Sequence, residues 1–137
     1  MNEMARTSTR HGQEMDDEIV DILNNNGWAA IKNNKFMAIA ADGRRVKPDV
    51  IASRGGERII IENKRNGLAV GTLHEKWPYA VMKTSKVAHQ LQMKAVMVIH
   101  DESKRLNSFI NNVVKPLGDS LGVTVLTLEE FHAFAAR

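Results

Sequence analysis

Cysteine is absent from the chain, which excludes disulfide frameworks, Cys-ligated zinc and thiol nucleophiles and favours a reducing, intracellular setting. Proline occurs three times and glycine nine times, too few for a collagenous or low-complexity chain. Every apolar run falls far short of the roughly 20 residues that cross a bilayer, and Met1 to Arg10 is polar rather than signal-like. A soluble, cytoplasmic protein of prokaryotic or phage-like origin is expected. What is present is 137 residues, 43% hydrophobic and 26% charged, the length and mix of one globular domain with a core of its own. The expected division is a flexible tail over 1–10 and a single domain over 11–137.

Charge is segregated along the chain. Between Gly12 and Gly27 there are five acids (Glu14, Asp16, Asp17, Glu18, Asp21) and no base, whereas Lys32 to Lys94 carries thirteen bases against five acids. The net charge is only +3, but a basic middle of this kind suits a polyanion such as DNA, because phosphate contacts supply most non-specific affinity. Lysines that serve only solubility would give the same count.

Apolar residues Met15, Ile19, Ile22 and Leu23 recur at helical spacing, predicting an amphipathic helix over 11–26 that Gly27 ends. Extended runs follow at 28–32 and 36–41, and two β-rich runs at 46–53 and 57–63 flank Gly55-Gly56, a dipeptide suited to a two-residue hairpin loop in which both positions need φ > 0. Gly67 to Tyr79 reads as a long loop. After it come a helix over 80–93, a buried strand over 95–100, a helix over 103–121, a strand over 123–127 and a helix over 129–136. This order predicts an α/β fold, a central mixed β-sheet flanked by helices on both faces.

The hairpin can be read arithmetically. With Gly55 and Gly56 as the loop, cross-strand partners have numbers that sum to 111, so Asp49 lies opposite Glu62, and Lys64 emerges on the same face as Glu62. Directly opposed carboxylates repel, and strands otherwise built from Val, Ile and Ala are an expensive place for them unless a cation lies between. Oxygen ligands of this kind suit a hard divalent ion, Mg²⁺ first, with Mn²⁺ as a substitute. A lysine beside a metal-bound water can orient it, aid its deprotonation or stabilise the pentavalent phosphate. The competing reading is a buried ion network in which Lys64 neutralises both acids with no metal.

Pro48-Asp49, twelve intervening residues, and Glu62-Asn63-Lys64 resemble the motif of the PD-(D/E)xK nuclease superfamily. The resemblance implies a restriction-endonuclease-like core, metal bound by Asp49 and Glu62, and Lys64 assisting phosphodiester hydrolysis, with the backbone carbonyl of Asn63 as a further ligand. Gly12, Asp16, the run Ile19 to Leu23 and Gly27-Trp28 resemble the start of archaeal Holliday-junction resolvases. That match puts Asp16 in the place of a helix carboxylate, with Glu14 or Glu18 able to substitute after a register change. Residues 95–131 are similar in pattern to Mrr-type restriction-endonuclease domains.

Lys83, Lys86, Gln90 and Lys94 are spaced to share a helix face that grips phosphates, joined by Lys47 and Arg65 as DNA contacts. Arg65 points to the opposite strand face from Lys64. Trp77 and Tyr79 would either stack on an exposed base or fill the core or a dimer contact. His11, His74, His89, His100 and His132 show no metal-ligand spacing. The resulting expectation is a metal-dependent endonuclease acting on DNA as a homodimer, since cutting both strands takes two sites. The alternatives are a sequence-specific restriction or homing-type enzyme with base-reading residues at 67–79, and a non-catalytic DNA-binding subunit.

Overall fold

The computed structural model describes residues 3–40, 42–65, 70–101 and 104–137, with side chains from 12 and, after the 66–69 interval, from 74. Helix α1 (Glu3–Asn25) is followed by β1 (Ala29–Lys32), β2 (Ala38–Ile39), β3 (Arg45–Val46), β4 (Val50–Arg54) and β5 (Glu57–Arg65). Then come α2 (Val70–Leu91), β6 (Lys94–His100), α3 (Asn107–Phe109), a π-helical turn (Ile110–Val114), α4 (Lys115–Leu121), β7 (Val123–Thr127) and α5 (Leu128–Ala136). Five strands form one sheet in the order β1-β4-β5-β6-β7, and β2 and β3 pair separately. The β1/β4 and β4/β5 pairs are antiparallel, while β5/β6 and β6/β7 are parallel. The mixed sheet expected from the sequence is therefore observed.

The sheet divides the core in two. On one face Ile19, Ile22 and Leu23 of α1 and Phe131 and Ala135 of α5 pack on Val50, Ala52, Ile59, Ile61, Val96 and Val98. On the other, Trp77, Val81 and Val87 of α2 and the π-helical turn pack on Ile60, Ala95, Met97 and Ile99. Strand β5 contributes to both because its side chains alternate, which is why it reads as an almost continuous apolar run. Helix α4 lies close on β7: a Cβ on Gly118 would stand 2.5 Å from the Val123 carbonyl oxygen, so only glycine fits there.

The hairpin register is the one the loop arithmetic requires. Arg54 pairs with Glu57 and Val50 with Ile61, and Gly55 and Gly56 take φ of +57° and +87°, a backbone in which a side chain would be strained.

Several boundaries differ from the sequence reading. Residues 70–79 are the first half of α2 rather than a loop; residues 67–69 lie outside the described chain. Pro78 suggests a break because it removes a helical hydrogen bond, yet Trp77 beside it is only 1% exposed, and burying that indole offsets the loss. The run 46–53 is split between two sheets, since Pro48 has no N–H to offer a ladder. Helix α1 begins at Glu3, within the segment read as a tail. Of the extended run 36–41 only Ala38–Ile39 is strand, and residue 41 lies outside the description. The helix read over 103–121 starts at Asn107, with residues 102 and 103 outside. Lys94 is the first residue of β6, ion-paired to Glu57 at 3.4 Å, and does not share the α2 face with Lys83. No helix of the described residues is long and apolar enough to cross a membrane.

Candidate functional site

Alternation along β5 sorts the motif residues. Ile60, Glu62 and Lys64 follow one parity and face α2, while Ile61, Asn63 and Arg65 follow the other and face α1. Asp49 immediately precedes β4, one residue beyond the Val50–Ile61 pair, which sets it across from Glu62. Its carboxylate accepts a hydrogen bond from the Asn63 backbone N–H at 2.9 Å. The loop before it is tied down by Asn33, whose N–H donates to the Asp49 carbonyl at 3.0 Å and whose side-chain amide donates to the Pro48 carbonyl at 3.0 Å.

Glu62 is 9% exposed. Burial first, and then the Asp49 charge, push its carboxyl up to about 7 against the nearby positive charges of Lys64 and Lys83. Burial also raises the Asp49 carboxyl, opposed by the Asn63 N–H and by Lys64, Lys83 and Lys47. Two carboxylates that would each hold a proton more tightly than in water, facing lysines from β5, α2 and the segment before β4, form a site primed for an added positive charge.

Asp16 reaches the same neighbourhood from the other face. Its Oδ1 accepts from Asn63 Nδ2 at 2.8 Å, and burial, ahead of all other causes, lifts its carboxyl to about 6. Because Nδ2 faces Asp16, the Asn63 Oδ1 faces His100 Nε2 at 2.9 Å; an oxygen there can only accept, so Nε2 carries the proton. Burial and the Arg65 charge lower His100 to about 4, keeping the ring neutral. Asn63 thus joins the segment before β4, α1 and β6 through one backbone and two side-chain hydrogen bonds. No sequence signal marked its side chain or His100.

Not every expected residue is brought together. Glu14, Glu18 and Arg65 line a cleft of about 1000 Å³ with His100, Lys104 and His132, on the α1 side and away from Glu62. Among the described residues no three His, Asp or Glu side chains stand close enough together to form a cation site by themselves. Lys83 is half-buried beside the carboxylates and Lys86 is exposed. Gln90, expected on DNA, spends its amide on Ile39, accepting from its N–H at 3.0 Å and donating to its carbonyl at 2.6 Å. Trp77 stacks on Phe109 with centroids 6.2 Å apart, a core role, while Tyr79 is exposed.

Residues 7–70, which contain both halves of the motif and Asp16, match the family model of the archaeal Holliday junction resolvases. No curated protein matches the chain. Among solved structures, the crystal structure of AF1548, a protein of unknown function, is similar with a TM-score of 0.52 at 15% identity, over 82% of this chain and 56% of that one. The structure of Pyrococcus furiosus SfsA in complex with Ca²⁺ gives 0.49 at 16% identity, over 87% and 56%. The chain thus spans little more than half the length of either, and the first likeness concerns the fold alone. The family match ends before α2 is complete and does not reach the C-terminal third. With the motif placed on the β4–β5 hairpin of a mixed, helix-flanked sheet, the chain is recognised as resembling the PD-(D/E)xK nucleases, and over residues 7–70 the archaeal Holliday junction resolvases among them.

Proposed function

We propose that the chain is a Mg²⁺-dependent endodeoxyribonuclease that hydrolyses phosphodiester bonds of branched DNA. The observation that carries this reading is the opposed pair Asp49 and Glu62, both raised, with Lys64 emerging beside them. Two carboxylates completed by water and phosphate oxygens are a donor set that fits Mg²⁺, for which Mn²⁺ would substitute, and which is seldom held by an all-protein cage. Bound there, the ion would polarise a phosphoryl oxygen and lower the pKa of a coordinated water.

The chain's own residues do the rest. Lys64 orients the attacking water and meets the charge that develops on the phosphate. The Asn63 N–H holds the Asp49 carboxylate in place, and the Asn63 amide holds Asp16 at the edge of the site. Lys47, Lys83 and Lys86 offer cations to phosphates flanking the scissile bond. Cutting both strands of a junction takes two such sites, hence a homodimer whose two-fold axis matches that of its substrate.

The test is incubation of the protein with plasmid DNA and a synthetic four-way junction in Mg²⁺, Mn²⁺ or EDTA, beside Asp49→Ala and Lys64→Ala. Metal-dependent cleavage of the junction, lost in both variants, is expected. Binding without cleavage under every condition would overturn the enzyme and leave a DNA-binding subunit.

A further inference from the structure

The β2–β3 hairpin stands apart from the main sheet and is preceded by an exposed phenylalanine. Phe131 is fully buried, Phe134 stacks on Trp28 and Phe109 on Trp77, but Phe36 is 54% exposed. Two cations lie over its ring, Arg45 Cζ at 4.9 Å and Lys47 Nζ at 5.4 Å from the centroid. Among the described residues neither cation forms a salt bridge, whereas Lys32, Arg44, Lys94 and Lys115 each do. An exposed ring with two cations over it, neither held in a salt bridge among the described residues, matches a ligand that has both aromatic faces and a negative backbone.

The hairpin is fixed in place. Ala38 and Val46 are buried in the α2 core, Gln90 clamps both backbone groups of Ile39, and Asn33 joins the Lys35 and Pro48 carbonyls. Lys47 is two residues from Asp49, at most about 7 Å along an extended backbone, and its charge already acts on that carboxylate. The same lysine thus lies over the ring and acts on the carboxylate.

We propose that this hairpin is a nucleotide grip in which Phe36 stacks on an unpaired or splayed base while Arg45 and Lys47 hold the adjacent phosphates. The inference rests on the nuclease reading and deepens it, because it names the feature by which branched DNA is told from intact duplex. Within a duplex both faces of each base are covered by neighbours, so the ring finds an open face only where the stack is interrupted.

The experiment uses the full chain in EDTA, which stops cleavage, with a four-way junction, a flap and an intact duplex. Each branched DNA carries 5-iodouridine at the branch point for photocrosslinking. The expected crosslink falls on the peptide that carries Phe36. Phe36→Ala weakens branched-DNA binding about 10-fold and duplex binding less than about twofold, and Phe36→Trp restores both affinity and crosslink. Arg45→Ala and Lys47→Ala each weaken binding to all three DNAs and reduce the salt slope by about 1. Equal losses on branched and duplex DNA in Phe36→Ala, or a crosslink elsewhere, would overturn the grip while leaving the nuclease reading intact. If the native chain binds none of the three, both fail; if it binds and grips here but fails to cut the junction in Mg²⁺ or Mn²⁺, only the nuclease reading does.

Discussion

The two faces of strand β5 handle buried polarity in opposite ways. Toward α2, Glu62 is pushed up to about 7 by its burial and then by the Asp49 carboxylate. Toward α1, Asn63 meets a carboxylate and a neutral imidazole and satisfies both with directed hydrogen bonds. The first face is electrostatically incomplete and gains from an added cation; the second is closed on itself. Adjacent residues of one strand thus differ, one set against a second carboxylate and the other held by directed hydrogen bonds.

The largest effect should come from breaking the reactive face. Lys64→Ala or Asp49→Ala is expected to slow junction cleavage by about 10²- to 10³-fold or more, the scale on which loss of one preorganised charge-stabilising group acts, as read from single-turnover rates. Stability should move little in Lys64→Ala by comparison.

Next is the pH dependence of the metal-free fold, where Glu62 and His100 have opposite signs. Glu62 is raised from 4.5 to about 7, so between those values the folded state keeps a proton that the unfolded state releases. Its contribution therefore falls as pH rises through that window. His100 is lowered from 6.5 to about 4; its contribution is full above 6.5 and is lost as pH falls toward 4. In urea denaturation across pH 4 to 8 the Glu62 and His100 slopes oppose each other, with Asp16, raised from 3.8 to about 6, and the raised Asp49 adding to the Glu62 side. Relative to the native chain, Glu62→Gln should tilt the stability profile upward with pH, and His100→Gln should tilt it downward. Parallel profiles for both variants would mean that the faces do not differ as described. Adding Mg²⁺ at pH 7.5 should stabilise the native chain and not Glu62→Gln, because only a ligand of the folded site shifts the equilibrium.

A smaller loss is expected from opening the closed face. Asn63→Ala leaves Asp16 and His100 without their shared partner and should cost about 1–3 kcal/mol in denaturant titration. Asn63→Asp should cost more above pH 6, by setting a second carboxylate against Asp16. At the far end of the sheet, Lys94→Ala removes an exposed pair with Glu57 and should change stability by less than about 1 kcal/mol.

How much of this was readable in advance depends on how local each cause is. The Asp49–Glu62 juxtaposition follows from a two-residue loop, since Gly55-Gly56 fixes which residues face each other. The Asn63–His100 contact depends on the β5/β6 register, which pairs Asn63 with Val98 across a long crossover, and nothing within either strand sets that offset. The start of α2 was hidden because Pro78 looks like a terminator until the burial of Trp77 is known. Gln90 was legible as polar and helical, but its partner is a strand 51 residues away. By contrast the helix read over 129–136 forms as Leu128–Ala136, started by the reciprocal Thr127–Glu130 capping pair.

The Gly55-Gly56 turn also imposes a parity rule on motif spacing. With the loop held at two residues, Asp49 and Glu62 stay opposite each other only if both strands change length together, so the interval between them can change only in steps of two. Because side chains alternate between faces, a step of two would also move both carboxylates off the α2 side, and only steps of four keep partner and face alike. The twelve-residue interval is therefore one member of a sparse ladder of workable lengths, and related chains with eight or sixteen intervening residues would build the same dyad, whereas ten or fourteen would aim it at α1.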